Sequence, residues 1–233
     1  MSNSSNFETF LYVSKKKIII SVFKDANDEI YKNESIFSYE LNRIDLNILN
    51  NFLDQNIFKI EKLLKGFINK ISIIIDSNEF FPVEMSIGKI INENYFELKN
   101  LDYLLKEAKG CIQKTIDDKT IIHMLINSYK IDNKHYSSLP KEINGNTISL
   151  DLKFICLPEI FIEGLETILK NYQISLNQIL SADYVRNFSN GDEKKIFFLA
   201  QKLMRGLNPN EVKLINKTKE NHGFFEKFFN FFS

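Results

Sequence analysis

The stretch between Lys119 and Leu169 constrains the fold most, because two strands and a helix follow one another there with distinct signals. Apolar and polar residues alternate over 148–156, which is the pattern of a half-buried strand. Residues 121–126 are mostly apolar and predict a strand that is buried on both faces. Pro158 suits the first turn of a helix, and apolar residues recur at helical spacing behind it. This β-β-α unit predicts an α/β fold with mixed sheets.

The remaining elements are predicted from the same two periodicities. Asn144-Gly145-Asn146 suits the long connection between the two strands of the central unit. Gly66 is expected to loosen the end of one helix, and Asn100 to cap the start of another. A turn or short helix is expected over 181–188. Further strands are predicted at 7–13, 17–23, 29–39, 71–75, 80–90 and 174–180, and further helices at 45–68, 101–114 and 196–207.

Composition excludes several classes of function. The chain carries 30 basic and 30 acidic residues, so no overall field favours nucleic acid. No signal peptide is evident, and no apolar run is long enough to span a membrane. Cys111 and Cys156 lack a CxxC spacing and are expected to be reduced, buried thiols in a cytoplasmic protein. His123, His135 and His222 share no metal-ligand spacing, so no metal site is expected.

Three segments, taken in order, resemble the bacterial cell-division protein family FtsA. Residues Ile121–Asp132 resemble a strand of the family, Leu150–Ile155 the strand after its long loop, and Glu163–Ala182 the helix and strand that return to the actin-like subdomain. The resemblance covers 8–188. It implies the first half of an actin-like fold, with the subdomain that the FtsA family inserts in place of the usual one.

The resemblance and the change of composition after Gly191 divide the chain into five parts. They are a partial actin-like subdomain (7–78 and 174–190), the inserted subdomain (79–173), an amphipathic helix (191–208), a linker (209–222) and an amphipathic tail (223–233).

The chain departs from the family where a nucleotide would bind. In the family, the first β-turn holds phosphate and metal with an acid and a Gly, because Gly lets backbone N–H groups approach the phosphate. Tyr12 stands at the position of the acid, Ser14 at that of the Gly, and Lys15 follows in the turn. The second phosphate loop and the adenosine-binding half are absent from the sequence. The resemblance therefore implies a degenerate phosphate turn at Tyr12, Ser14 and Lys15, with no cofactor and no enzymatic activity. Lys15-Lys16-Lys17 could hold a phosphate electrostatically, although a solvated turn is the simpler interpretation.

The C-terminal tail is rich in phenylalanine. On a helical wheel the aromatic residues share one side, while Glu226, Lys227 and Asn230 lie on the other. This resembles the short membrane-binding helix that ends FtsA. The alternative is a tail that packs on its own domain or in a partner's groove. The expected membrane-binding residues are Phe224, Phe225, Phe228, Phe229, Phe231 and Phe232.

The resemblance implies a non-enzymatic scaffold of the division septum. Such a scaffold would lie peripherally on the inner face of the cell membrane at midcell. It would contact division proteins, and potentially itself, through the inserted subdomain. The FtsZ-binding surface of the family lies in the missing half, so direct FtsZ binding stays open. Three alternatives remain: an actin-like ATPase or phosphotransferase, a scaffold of a pilus or secretion machine similar to PilM, and a gene truncated or split from its second half.

Overall fold

The computed structural model describes residues 7–24, 28–90, 98–132, 134–140, 145–189 and 195–213. These residues form two β-sheets and five helices. In chain order the elements are β1 (Glu8–Ser14), β2 (Lys17–Phe23), β3 (Glu29–Ile36), α1 (Leu46–Leu64), β4 (Lys70–Asp76), β5 (Phe81–Ile90), α2 (Leu98–Thr115), β6 (Lys119–Ile131), β7 (Lys134–Tyr136), β8 (Thr147–Pro158), α3 (Glu159–Asn171), β9 (Ser175–Ser181), α4 (Ala182–Arg186) and α5 (Ile196–Met204).

The first sheet has five strands in the order β3-β2-β1-β4-β9. Its first three strands form an antiparallel meander, and β4 and β9 run parallel to β1. The carboxyl ends of the three parallel strands therefore meet at one end of this sheet. Ser14 pairs with Asp76 there, and Ser181 lies on the neighbouring strand. This arrangement of two sheets and several helices confirms the predicted mixed α/β class.

Both faces of the first sheet are covered, because alternate residues of its central strands are apolar on each side. On one face, Leu11, Val13 and Ile73 pack with α1 and α3. On the other face, Tyr12 and Ile74 pack with α4 and α5. The sheet is thus the middle layer of three, which explains why its central strands are nearly continuous apolar runs.

The second sheet has four strands in the order β5-β8-β6-β7 and is antiparallel throughout. One face packs against α2, whose Leu104 and Ala108 meet Leu150 and Leu152 of β8. Across part of the opposite face, the Asp151 side chain accepts hydrogen bonds from serines on the two neighbouring strands. This sheet therefore has one apolar face and a face that is polar over this region.

The predicted helices and strands are confirmed, with differences at their ends. Helix α1 ends at Leu64, where Lys65 rather than Gly66 takes the left-handed conformation with φ 52°. The Gly66 N–H then donates to the Glu61 carbonyl, so glycine follows the cap instead of forming it. Helix α2 begins at Leu98, so the prediction that Asn100 precedes it as a cap is wrong. Asn100 lies within its first turn. Cys111 of the same helix is exposed, so the prediction of a buried thiol is wrong there, whereas Cys156 is buried as predicted.

Candidate functional site at the strand ends of the first sheet

The turn between β1 and β2 is closed by the side chain of Ser14. Its hydroxyl accepts hydrogen bonds from the backbone N–H groups of Lys16 (3.2 Å) and Lys17 (2.9 Å) and donates to the Lys17 carbonyl (3.0 Å). These are the turn's N–H groups, the kind that a phosphate would need. Ser14 is buried, and its hydroxyl binds these N–H groups from within the fold, where a phosphate would have to bind them.

The chain after β3 holds the same turn from outside. The Phe37 and Leu41 N–H groups donate to the carbonyls of Lys16 (2.8 Å) and Lys15 (2.9 Å). The Lys16 ammonium lies 3.3 Å from a Glu40 carboxylate oxygen, and both side chains are largely exposed. The backbone of this turn is therefore fixed by protein groups. The Lys17 ammonium lies 5.7 Å from the centre of the Tyr12 ring, so this lysine stays close to the strand end.

Asp76, at the end of β4, is bound by Tyr12 of β1 and Arg186 of α4. The Tyr12 hydroxyl donates to Asp76 Oδ2 at 2.6 Å, and Arg186 Nη1 donates to Oδ1 at 3.1 Å. Arg186 Nη2 donates to Oδ2 and also to the Tyr12 hydroxyl at 3.0 Å. A further bond of 3.0 Å joins Arg186 Nη1 to Asp183. Both oxygens of the Asp76 carboxylate are thus engaged by the protein.

The titration of these groups follows from their contacts. Burial alone raises the pKa of the Asp76 carboxyl, but hydrogen bonds from Arg186 and Tyr12 outweigh it and hold this pKa below its ordinary value. The hydrogen bond to Asp76 raises the pKa of Arg186 above its ordinary value. Asp76 is therefore a carboxylate and Arg186 a cation at neutral pH, and their charges compensate each other.

Tyr12 and Ser14 from the predicted phosphate turn both lie at the end of β1 and both make the contacts described above, whereas Lys15 contributes only its backbone carbonyl to them. Asp76 and Arg186 were not predicted. A charged residue directly after an apolar run was the available signal for Asp76. Chemically, the cluster offers a compensated ion pair, and no group of three or more His, Cys, Asp or Glu side chains suited to a metal ion occurs within the described ranges.

A second polar cluster lies where the two sheets meet. His123 of β6 accepts a hydrogen bond at Nε2 from the Ser181 N–H (3.0 Å), and its Nδ1 lies 2.7 Å from Glu211 Oε1. Because Nε2 is an acceptor, the proton of the neutral ring is on Nδ1 and is donated to Glu211. The other oxygen of Glu211 accepts from the Tyr184 hydroxyl at 2.8 Å, and Asn208 Nδ2 donates to that hydroxyl at 2.9 Å. Burial, with the Glu211 carboxylate next, raises the pKa of Tyr184.

Glu211 reaches this cluster because the chain after α5 pairs with β6. The Ile126 N–H donates to the Asn210 carbonyl (2.9 Å), and the Val212 N–H donates to the Met124 carbonyl (2.8 Å). Residues 210–212, which fall in the predicted linker 209–222, are thus paired to the second sheet next to β7. Nothing in the local sequence indicates this pairing, because its partners lie on β6, and the side-chain contact that accompanies it joins residues 88 positions apart.

The phenylalanine-rich tail, Phe224 to Phe232, lies outside the described residues, as does most of the linker. Within the part that the structure describes, none of the helices is both long and apolar enough to cross a membrane.

Comparison with known proteins gives structural matches only. No family model matches the sequence, and no curated protein sequence matches it. One similar structure is the cytoplasmic domain of EpsL, an inner membrane component of the type II secretion system of Vibrio cholerae, with 12% identity and a TM-score of 0.38. Another is the PilM-PilN type IV pilus biogenesis complex, with 6% identity and a TM-score of 0.43.

These matches are distant and partial. They cover 77% and 79% of this chain, which spans 59% and 49% of the two matched chains. At such scores, the partners and activities of both assemblies remain properties of those proteins. The two matches lend no support to FtsA in particular.

Proposed function

We propose that this chain is a non-enzymatic scaffold of actin-like fold that acts at a membrane surface through protein–protein contacts. The observation that carries the proposal is the closed turn after β1. Its Lys16 and Lys17 N–H groups already donate to the Ser14 hydroxyl. A phosphate would have to displace this bonding and then face a carboxylate that is bound by Arg186 and Tyr12.

The alternative of an actin-like ATPase requires a cation held near the phosphates through its water shell. Asp76 is the carboxylate at the carboxyl ends of β1 and β4, and freeing it for such a role would leave the half-buried Arg186 without its main partner. The cost of an unpaired charge opposes this rearrangement. We therefore expect no ATP hydrolysis above the rate of a heat-denatured sample. Turnover that is lost in an Arg186→Ala or Asp76→Asn variant would contradict the proposal.

The membrane part of the proposal rests on the amphipathic pattern of the tail. Burying several phenylalanines at the lipid interface would release about 25 cal/mol per Å², but folding so short a helix offsets part of this gain. We expect weak binding that clustering strengthens. The substitutions Phe228→Glu and Phe229→Glu would place two charges at the centre of the apolar arc, where they would have to lose their hydration.

Co-sedimentation with excess liposomes tests this part. The parent chain, made as a dimeric fusion to raise avidity, should pellet with the liposomes, and the Phe228→Glu/Phe229→Glu variant should stay in the supernatant with an unchanged melting temperature. Phe58→Glu/Phe67→Glu is a matched control, because both side chains are exposed on the folded part, at 74% and 83%. Failure of the dimerised parent to bind would refute membrane association. A tail that packs on its own domain predicts lower stability for the Phe228→Glu/Phe229→Glu variant.

The machine that the scaffold serves is a separate question. The FtsA resemblance favours the division septum, whereas a scaffold of a pilus or secretion machine fits the same fold and needs no midcell position. Fluorescent tagging in the source organism separates these two roles. Midcell bands would support the septum, and polar or scattered membrane foci would support a pilus or secretion assembly.

A further inference from the structure

We propose that β5 is a self-pairing edge, through which two copies of this chain join their second sheets into one antiparallel sheet. The inference rests on the proposed scaffold function and names a second copy as a partner. Within the described part of the chain, β8 is the only strand that pairs with β5. All ten β5 residues, Phe81–Ile90, pair with it, and the backbone groups that alternate to the other side form an edge, to which Pro82 near the start of the strand can add no N–H donor.

One of the two edge strands of the first sheet, β3, shows the contrast. β3 carries Glu29, Lys32 and Glu34 within eight residues, a charge density that discourages pairing. Its Tyr31 and Asn33 side chains also donate to Asn56 of α1, both at 2.7 Å, which ties the strand to the helix that covers it.

β5 has only two charged residues, Glu84 and Lys89, among apolar and small ones. In an antiparallel pair related by a two-fold axis, a centre at Ser86 places Glu84 opposite Gly88 and Lys89 opposite Val83. A centre at Ile87 places the same two charges opposite Ile90 and Met85. Like charges do not oppose each other in either register, so the strand is electrostatically compatible with itself.

A second copy covers more of this surface than an isolated strand would. Phe81 and Ile90 at the two ends of β5 are exposed, and so is Tyr103 of α2. The Lys89 ammonium lies 5.4 Å from the centre of the Tyr103 ring, which places that ring beside the edge. A two-fold axis perpendicular to the sheet keeps both α2 helices on one face. Each helix would then shield the apolar residues at the edge of the other copy, whereas a single added strand would leave Tyr103 exposed.

Hydrogen exchange of the full chain at increasing concentration tests the proposal directly. The Phe228→Glu/Phe229→Glu background, without lipid or nucleotide, removes association through the tail and makes the result independent of the membrane and nucleotide tests. We expect slower exchange of β5 amides as concentration rises, with sedimentation showing a dimer. The β3 amides should not change and serve as the internal control.

The matched variants are Ile90→Lys/Tyr103→Lys at the edge and, as the α1 variant, Phe58→Lys/Phe67→Lys on α1 and the chain just after it. All four side chains are exposed, so both variants should keep the parent melting temperature. The edge variant should weaken the dimer by at least about tenfold, because it places charges in the contact, and the α1 variant should not. If the chain stays monomeric at concentrations up to about 300 µM, a dimer of physiologically useful affinity is excluded and the proposal is overturned. A dimer that protects amides elsewhere, or that survives the edge variant, would overturn it too.

Discussion

The two sheets of this molecule are completed in different ways. The first sheet is covered on both faces, and the carboxyl ends of its parallel strands are closed by Ser14 and by the Tyr12–Asp76–Arg186 cluster. The second sheet is covered by a helix on one face, presents Asp151 with its serine partners on the other, and leaves β5 paired on one side only. The groups that a ligand would use in the first sheet are already bonded within the chain.

This difference indicates where binding capacity lies. In the first sheet, polar groups serve the fold, so a new ligand must compete with bonds that are already made. In the second sheet, backbone groups at the β5 edge exchange hydrogen bonds with water for hydrogen bonds with a partner at little cost. Contacts between proteins are therefore expected at the β5 edge rather than at the strand ends of the first sheet.

The largest expected effect tests the coverage of the two sheets. Ile74 of β4 is fully buried, while Met85 of β5 is only partly buried. Replacing Ile74 with Ala should lower the free energy of unfolding by about 2–5 kcal/mol, because the cavity cannot collapse between two layers. Met85→Ala should cost less than half as much. Urea denaturation of both variants measures the difference, and equal losses would show that the sheets are equally well covered.

The next effect concerns the cluster that joins the sheets. Glu211→Ala would leave the buried His123 Nδ1–H and the Tyr184 hydroxyl without their acceptor. An unsatisfied buried donor costs about 1–3 kcal/mol, so the variant should unfold at lower urea concentration. Faster exchange of the Ile126 amide, which donates to Asn210, should accompany the loss. Glu163→Ala, on the exposed side of α3, is the control and should change neither quantity.

A smaller effect is expected from acid. The lowered pKa of Asp76 means that its contribution to stability is fully present above the ordinary aspartate pKa of about 3.9 and is lost as pH falls through the folded-state value. In Asp76→Asn the free energy of unfolding should depend less on pH between about pH 5 and pH 2. Some dependence should remain, because hydrogen bonds from Ser128 and Ser86 lower the pKa of Asp151 in the same way. An unchanged pH profile would show that Arg186 and Tyr12 do not lower the pKa of Asp76.

Local periodicity predicted most of this fold. The apolar stripe of α1 and the alternation of β8 depend on residues close in sequence, and both elements are confirmed. The Asp76–Arg186 pair joins residues 110 positions apart, and the His123–Glu211 pair joins residues 88 positions apart. Such pairings depend on how strands are ordered in the sheets, which a single sequence does not show. The replacements at Tyr12 and Ser14 were visible in the sequence, but their bonding partners were not.

The smallest expected effect is also the most direct test of the central claim, that this chain works through contacts and without a nucleotide. Calorimetric titration of the full chain with Mg-ATP should give only the heat of dilution, since the turn N–H groups donate to Ser14 and Asp76 is bound by Arg186 and Tyr12. Saturable binding with a dissociation constant in the micromolar range, which corresponds to a binding free energy of about −8 kcal/mol, would contradict the claim.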